Sequence, residues 1–401
     1  MSLANTETRY GTVAKSLHWL TALLIVTLIP TGIIANGMPF ETSEELARKA
    51  QLFSIHKTMG VVLFGVAILR IIWAITQPKP VPLHPEDKLL CFLADMVHWL
   101  LYGSLVLVPI TGWVHHAATE GFAPILLPIG QDLPFVPKSE AVAEVSASLH
   151  IIFERVLVIA LFLHIAGALK HHVVDKDATL KRMWFGTTEA GAGETTGHTV
   201  WMPLGGAVVA WTVAIGVGAS LGLFERHEST AAAAALAEVD SDWQVQDGTL
   251  AIGITQLGSE VRGEFANWTA AITFDDTAEG PLGNVDVTIS IPSLTLGSVT
   301  DQAMGADYFN VEAHPTAQFV ADITRNADAY LASGTLTIRG NSVPVELPFT
   351  LNLEGDTAAM TGQLTLDRRD FGIGDGMTDE GSLGFGVNID VSLTAARGGA
   401  S

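Results

Sequence analysis

The chain has 401 residues, of which 48% are hydrophobic and only 16% are charged, and its formal net charge is −21. Because soluble domains carry about 25% charged residues, this composition excludes a purely soluble protein. The single cysteine, Cys91, excludes an internal disulfide, a cysteine-ligated iron–sulfur site, a four-cysteine zinc site and covalent haem attachment through CxxCH.

Five apolar runs dominate the first 224 residues, and each is long enough to cross a bilayer as a helix. They cover about 17–34, 55–75, 92–114, 149–169 and 200–224, and the last contains no charged residue. The first run is too long for the apolar part of a cleaved signal peptide, so we expect it to remain as a membrane helix.

The Lys and Arg residues between the runs predict the orientation of the helices. With a cytoplasmic N-terminus, nine of these cations lie on the inner side and three lie in outer loops. Cytoplasmic loops are enriched in Lys and Arg, so we expect the N-terminus inside. Five spans then place the C-terminal half outside, which in a bacterium means the periplasmic side of the inner membrane.

Four histidines lie within or at the edges of the first, second and fourth runs: His18, His56, His150 and His164. His150 and His164 are 14 residues apart, which places them on one helix face, about 21 Å apart along its axis. In the predicted topology His56 lies level with His150 at the outer side, and His18 lies with His164 at the inner side. Two histidines at each of two depths suit bis-imidazole ligation of two haems. The alternative for each histidine alone is hydration at the headgroup level.

Small and cationic residues flank these histidines. Gly60 and Gly167 follow His56 and His164 by four and three residues, where a flat macrocycle would need room. Arg70 lies 14 residues after His56, near the predicted inner haem, where it could pair with a propionate. For the outer haem we expect that role of Lys57 and Arg155, and the alternative is that these cations extend to lipid headgroups.

The membrane part resembles a known family. Residues 9–184 are similar to the prokaryotic cytochrome b561 family in RYGTVAKSLHWLTALLI, IHKTMGVVLFGVAILRIIW, HWLLYGSLVLVPITGW and the stretch from LHIIFERV to DATLKRM. The resemblance implies a four-helix bundle with two haem b groups that exchanges electrons with ubiquinone or ubiquinol. Some members of the family are similar to superoxide oxidases.

Two further features match the same family. His98 and Tyr102 match an HxxxY pattern and are candidates for contacts with a quinone headgroup; the alternative is a histidine at headgroup level and an aromatic-belt tyrosine. The pair His171-His172 precedes a DxTLxRM tail, and His171 is an alternative inner ligand.

The C-terminal half is strongly acidic. Residues 225–401 contain 7 Arg, no Lys and 26 Asp or Glu, which gives a net charge of −19. Such a surface excludes nucleic-acid binding, since phosphate neutralisation needs cations. It also opposes the capture of superoxide, an anion, at the outer side. Superoxide oxidation is therefore the alternative to quinone-linked electron transfer.

From residue 242 onward the apolar pattern alternates with a period of two. Segments 268–274, 345–353 and 386–393 each place apolar residues on one face, as strands do. About eight such strands predict an antiparallel barrel that can hold one apolar ligand. No nucleophile–base pair occurs there, so we expect a binding module without catalytic residues.

This half resembles the YceI-like family of lipocalin-like barrels in DWQV, FDD, SLTLGSVTDQAMGADYFNVEAHPTAQFVADI, GTLTIRG and LDRRDFGIG. The resemblance implies an isoprenoid or similar amphiphile as the ligand. The family commonly has a His-Ser pair after the first strand, where this chain has Gly248-Thr249. We therefore expect the apolar lining of the family but different contacts to the headgroup.

The sequence thus predicts a helical di-haem membrane domain with a fifth transmembrane helix, followed by an all-β barrel. The expected parts are 1–185 (di-haem domain), 186–199 (cytoplasmic linker), 200–224 (fifth helix), 225–241 (tether) and 242–401 (barrel). The expected function is transmembrane electron transfer with the quinone pool, while the barrel binds an isoprenoid or quinone-like amphiphile. The alternatives are a superoxide oxidase and a membrane-anchored isoprenoid carrier without redox activity.

Overall fold

The computed structural model describes residues 2–119, 123–130, 132–190, 201–225, 236–237, 239–278, 280–326 and 329–398. The chain forms two compact units. The first contains Met1–Gly37, Gln51–Thr119 and Pro124–Arg226, and the second contains Met38–Ala50, Glu120–Ala123 and His227–Ser401. Most of the predicted linker at 186–199 and most of the tether at 225–241 lie outside the described residues.

The first unit is helical. Its helices, of which α2 begins in the second unit, are α1 (Thr12–Asn36), α2 (Ser43–Thr76), α3 (Lys88–Ala118), α4 (Glu140–Lys170), α5 (Thr179–Met183) and α6 (Trp201–Ser220). All except α5 are long and apolar enough to cross a membrane, which confirms the five predicted spans. The helix α6 ends four residues before the predicted limit, and Gly222 adopts a positive φ of 78° in the turn that follows.

Two features hold the helices together. Leucines of α1, α2 and α3 form one buried cluster that includes Leu28, Leu63 and Leu105. Small residues let α6 approach closely: Gly103 of α3 faces the indole of Trp211, and an added Cβ there would lie 2.1 Å from the ring. Helices in lipid associate mainly through such close packing, while Leu69, Phe162 and other apolar side chains remain exposed on the surface of the bundle.

The second unit is built on one antiparallel sheet of ten strands in the order β3-β4-β6-β7-β8-β9-β10-β1-β2-β5. The strands are β1 (Trp243–Gln256), β2 (Ser259–Phe265), β3 (Trp268–Phe274), β4 (Gly283–Ser290), β5 (Leu294–Thr295), β6 (Thr316–Asn326), β7 (Ala329–Ile338), β8 (Asn341–Glu354), β9 (Thr357–Asp367) and β10 (Leu383–Arg397). The three alternating segments predicted from the sequence lie in β3, β8 and β10. The prediction of about eight strands was too low, partly because β5 has only two residues and no alternation to detect.

The sheet curls until β1 meets β3. The backbone N–H of Asp242 donates to the Ile272 carbonyl at 3.1 Å, and Trp243 Nε1 donates to the Phe274 carbonyl, also at 3.1 Å. A short helix, α7 (Thr300–Met304), follows β5, and its Ala303 and Met304 pack into the same core as Leu250 and Ile252 of β1. The inner faces of the strands enclose an apolar cavity of about 270 Å³.

Candidate haem and ligand sites

Three histidines meet at the end of the bundle where α1 begins. We call His18, His98 and His164 the inner cluster, after the predicted topology. The ring centroids of His18 and His164 are 6.0 Å apart, and those of His98 and His164 are 5.2 Å apart. The structure therefore brings together the two histidines predicted to form the inner pair, and it places the quinone candidate His98 beside them.

Arg70 also lies in the inner cluster. Its Nη2 donates to His18 Nδ1 at 3.0 Å, and its Cζ lies 5.2 Å from the ring centroid of Tyr102. A neutral imidazole that accepts at Nδ1 carries its proton on Nε2. His18 can therefore offer Nε2 to iron only after this hydrogen bond changes, which frees Arg70 for another partner.

The outer cluster, which we define as His56, His115, His116 and His150, lies at the opposite end of the same helices. His56 Nδ1 bonds to the Leu28 carbonyl at 3.1 Å, and His150 Nδ1 bonds to the Val108 carbonyl at 2.8 Å. Each bond fixes the tautomer that leaves Nε2 without a proton. This is the arrangement that metal-ligating histidines commonly have, so these residues fit the haem implied by the sequence.

The outer histidines rest on glycines of neighbouring helices. A Cβ added to Gly32 would lie 2.8 Å from His56 Cε1, and one added to Gly112 would lie 2.9 Å from His150 Nδ1. Neither glycine was predicted from the sequence, although both follow a proline by two or three residues, in IPTG and VPITG. At Gly60 and Gly167 an added Cβ would have no atom of the described residues within 4 Å, and their contact with a macrocycle remains a prediction.

His115 and His116 were not predicted from the sequence, because the third apolar run ends at residue 114 whereas α3 continues to Ala118. Their ring centroids are 4.7 Å apart, and His115 Nδ1 bonds to the Ala143 carbonyl at 2.8 Å. Lys57 is 7% exposed and close enough for its charge to act on both rings. Arg155, the other predicted cation of this end, is exposed and pairs with Glu154 at 3.0 Å.

His171 belongs to a separate group. Its Nδ1 donates to Asp177 Oδ2 at 2.6 Å, His84 Nε2 donates to the same oxygen at 3.2 Å, and the two rings stack with centroids 6.1 Å apart. Burial raises the pKa of Asp177, but hydrogen bonds from Thr179 and His171 outweigh it and hold that pKa below its usual range. The structure gives His171 a carboxylate partner rather than a place in the inner cluster.

The cavity of the second unit is lined almost entirely by apolar side chains. Four polar residues also line it: Gln256, Gln302, Tyr308 and Arg368. Gln302 Nε2 donates to Tyr308 Oη at 2.7 Å, and the Arg368 guanidinium donates to backbone carbonyls, including Gly384 at 3.0 Å. Gln256 is 2% exposed, and its Oε1 accepts no hydrogen bond from the described residues. An acceptor buried without a donor is costly, so this atom suits a ligand that donates.

Gly248, where the sequence departs from the YceI-like pattern, lies against Trp268. A Cβ at this position would lie 2.8 Å from Cζ2 of the indole and 3.0 Å from the Ser392 carbonyl oxygen. Trp268 also lines the cavity. In this chain the indole therefore occupies the space that a larger residue at position 248 would need.

Comparison with known proteins gives two family matches, one for the membrane helices and one for the antiparallel sheet. The prokaryotic cytochrome b561 family matches residues 9–186, and the YceI-like domain matches residues 243–395. Cytochrome b561 homolog 2 of Escherichia coli K12 is 30% identical over 184 residues, which cover 46% of this chain and 95% of that protein. The probable superoxide oxidase CybB of Yersinia pestis is 22% identical over 179 residues, which cover 44% and 95%.

Among solved structures, BcnA of Burkholderia cenocepacia is similar to the second unit. It is 28% identical with a TM-score of 0.36, and the match covers 37% of this chain and 96% of BcnA. The family match at residues 9–186 and the homologue from Escherichia coli lead to one conclusion for the membrane part. The chain belongs to the prokaryotic cytochrome b561 family of membrane electron-transfer proteins, and it carries a YceI-like domain after its transmembrane helices.

Proposed function

We propose that this protein is a di-haem cytochrome that moves single electrons between the quinone pool and a partner across the bilayer. The observation that carries the proposal is the division of the helix histidines into two clusters at opposite ends of one bundle. His18 with His164 would hold the inner haem, and His56 with His150 the outer one. When bound, each haem iron accepts and releases one electron at a time.

The protein's part is to position these groups and set their surroundings. Hydrogen bonds from Nδ1 to backbone carbonyls orient His56 and His150, and raise the basicity of the Nε2 that would bind iron. His150 and His164 lie 14 residues apart on α4, so the outer and inner clusters are separated by about 21 Å along this helix. The apolar helices exclude water from the path between them.

A quinone headgroup fits best at the inner cluster. His98 Nδ1 bonds to the Ala94 carbonyl at 2.7 Å, which leaves Nε2 to accept a proton from a quinol hydroxyl. Tyr102 lies one turn further along α3, beside Arg70. Oxidation of one quinol releases two protons and two electrons. In this proposal His98 takes the first of the two protons, and the two electrons leave one at a time.

The barrel would bind an isoprenoid-tailed amphiphile. Its apolar walls suit the chain, and Gln256 Oε1 suits a headgroup that donates a hydrogen bond, such as the hydroxyl of a quinol. A covalently linked binding module raises the concentration of its ligand near the membrane domain. The excess of Lys and Arg in the predicted inner loops supports a cytoplasmic N-terminus and a periplasmic barrel.

The test is haem counting in the purified full-length protein, followed by anaerobic reduction with ubiquinol as the only donor. We expect two haems per chain, both reducible. His56→Ala and His150→Ala should each remove the same haem, and His18→Ala and His164→Ala the other. Loss of both haems, or of neither, in the single variants would contradict the pairing. A chain without haem, made with an adequate haem supply, would favour an isoprenoid carrier without redox activity.

Superoxide oxidation is the second candidate, and Lys57 favours it. This buried cation lies among the outer histidines, where an incoming anion would be attracted. The net charge of −19 on residues 225–401 opposes the approach of that anion. Fast haem reduction by a superoxide source, lost in Lys57→Met and followed by quinone reduction, would establish this activity in place of the first.

A further inference from the structure

Arg182 is a buried cation that has no acidic partner in the described part of the chain. The residue is 6% exposed, and Nη1 donates to the Val81 carbonyl at 2.9 Å. Its Nε and Nη2 are buried and have no hydrogen-bond partner among the residues that the structure describes. No carboxylate of the described residues lies within ion-pair distance of it. Burial lowers the pKa of this guanidinium, and the more distant charges of Tyr10 and Asp177 offset that effect only in part.

Leaving a guanidinium buried with two unpaired nitrogens is expensive, and a carboxylate would remove most of that cost. Nε and Nη2 lie on one edge of the planar group and match the two oxygens of a carboxylate. The guanidinium carbon of Arg182 lies 5.8 Å from the ring centroid of Tyr10. The buried, unpaired Nε and Nη2 edge has the geometry and charge that bind a carboxylate.

The residues that follow Arg182 are hydrogen-bonded to the part of α1 that carries His18. Trp19 Nε1 donates to the Met183 carbonyl at 2.9 Å, and Lys15 Nζ donates to the carbonyls of Trp184 and Gly186 at 2.9 and 2.8 Å. These bonds tie the end of α5 to the turns of α1 that carry His18. The rings of His18 and Trp19 are themselves 5.4 Å apart.

A second buried donor lies at the same end of the bundle. Trp73, one turn after Arg70 on α2, has a buried Nε1 without a hydrogen-bond partner in the described residues. Arg70 donates to His18 through Nη2, and none of its nitrogens is among the buried, unpaired atoms of the described residues. At this end of the bundle, the described residues with buried donors that lack a partner are Arg182 and Trp73.

We infer that Arg182 binds a propionate of the inner haem through Nε and Nη2. The inference rests on the proposed function, because it needs a haem held by His18 and His164. It assigns to Arg182 the role that the sequence suggests for Arg70. It also explains why the end of α5 and the residues just after it are joined to α1 by three side-chain hydrogen bonds, one to Met183 and two to Trp184 and Gly186.

The test compares Arg182→Gln with Lys181→Gln in the full-length protein. Lys181 is the exposed neighbour on α5 and controls for the loss of one positive charge. Each protein is stripped of haem and titrated with haem or with its dimethyl ester, which lacks ionised propionates. The midpoint potentials of the reloaded proteins are then measured. Circular dichroism and gel filtration check the fold, and Arg182→Lys keeps the charge but not the two-donor edge.

We expect Arg182→Gln to weaken haem binding at one of two sites by about 10- to 100-fold and to lower the potential of that haem alone. The haem affinity of Arg182→Lys should lie between those of Arg182→Gln and the native chain. Lys181→Gln should have the affinity and potentials of the native chain. With the dimethyl ester, the native chain and Arg182→Gln should bind alike.

Equal behaviour of Arg182→Gln and Lys181→Gln with both haem forms would overturn the inference. So would an effect on quinol KM with both haems unchanged, which would place a quinone carbonyl at Arg182. A native chain that binds no haem would overturn the proposed function as well, and the haem count of the native protein shows this before any variant is made.

Discussion

The imidazole of His150 packs directly on the backbone of Gly112, where an added Cβ would lie 2.9 Å from Nδ1. His56 packs on Gly32 in the same way, with a corresponding distance of 2.8 Å to Cε1. In both pairs the ring Nδ1 bonds to the carbonyl four residues before the glycine. The two proposed ligands of the outer haem are thus oriented by one repeated arrangement, on α1 for His56 and on α3 for His150.

This arrangement predicts that Gly112→Ala removes the outer haem. The added methyl group must displace the His150 ring, and overpacking of this kind costs about 1–3 kcal/mol. The displaced ring loses its bond to the Val108 carbonyl and its orientation toward iron. We expect the haem content to fall from two to one per chain, as measured by the pyridine haemochrome assay, while the inner haem keeps its spectrum.

Gly65→Ala is the matched control, because this glycine lies on α2 and an added Cβ would have no atom of the described residues within 4 Å. It should keep both haems. Full haem content in Gly112→Ala, or loss of both haems, would show that contact with Gly112 does not position His150 for one centre.

The position of His98 in the inner cluster predicts that its replacement slows haem reduction by quinol but does not remove a haem. If it takes a proton from a quinol and does not ligate iron, His98→Ala should retain two haems and reduce the rate of quinol-driven reduction by roughly 2- to 10-fold, as expected for the loss of one hydrogen bond. Haem count and stopped-flow reduction measure the two properties separately. His172→Ala, an exposed histidine just beyond α4, serves as the control. Loss of a haem in His98→Ala would make His98 a ligand and contradict the role given to it.

The sequence was sufficient for features set along one chain segment. Run length predicts the five spans, and the 14-residue spacing of His150 and His164 predicts two levels on one helix. Alternation predicts β3, β8 and β10 because each of them has one face on the cavity. The pairing of His18 with His164 was predicted only from their equal depth in the membrane, and in the structure their ring centroids are 6.0 Å apart.

Contacts between segments that are distant along the chain could not be predicted from run length, residue spacing or alternation. Gly32 and Gly112 matter because of side chains from other helices, and nothing in their own helices marks them except a nearby proline. Arg182 looks like an ordinary cytoplasmic cation in the sequence, but in the fold it is buried and contacts Val81 and Tyr10, which are distant along the chain. Strand β5 has two residues, too few for a period.

The contact between Gly248 and Trp268 predicts that Gly248→Ala destabilises the second unit. The methyl group would overlap the indole and approach the Ser392 carbonyl, at a cost of about 1–3 kcal/mol. Gly253→Ala, on the same strand, is the control because its nearest neighbour lies at an ordinary 3.5 Å. Urea unfolding of the full-length protein, followed by tryptophan fluorescence, should show a lower midpoint for Gly248→Ala only. Equal midpoints in the two variants would mean that the sheet absorbs the methyl group without cost.

Gln256 predicts that the cavity binds the quinol form of a ligand in preference to the quinone form. Because Oε1 lacks a donor, an isoprenoid quinol should bind more tightly than the matching quinone, by roughly 2- to 10-fold for one hydrogen bond. Gln256→Leu should abolish this preference while binding of the chain persists, and Gln363→Leu, at an exposed position, should keep it. Anaerobic titration of the full-length protein with both redox forms provides the measurement. A preference that survives Gln256→Leu would assign the headgroup to another residue.

Asp367 predicts a pH-dependent contribution to the stability of the second unit. Hydrogen bonds from Arg369 lower its pKa to about 2, whereas an unfolded aspartate titrates near 4. A depressed folded pKa adds stability that is complete above about pH 4 and disappears as the pH falls through about 2. The pair is partly exposed, so Asp367→Asn should cost only about 0.5 kcal/mol at neutral pH.

Urea midpoints of the native chain and Asp367→Asn at about pH 7, 4 and 2 measure this contribution. The difference between the two proteins should stay constant from neutral pH to about pH 4 and vanish at the lowest pH. Asp370→Asn removes the same charge from the same turn, where the described residues show no ion pair to it, and should have little effect at any pH. If the difference for Asp367→Asn instead disappeared between about pH 5 and 4, the carboxyl group would titrate at its ordinary value, and its bonds to Arg369 would add no stability.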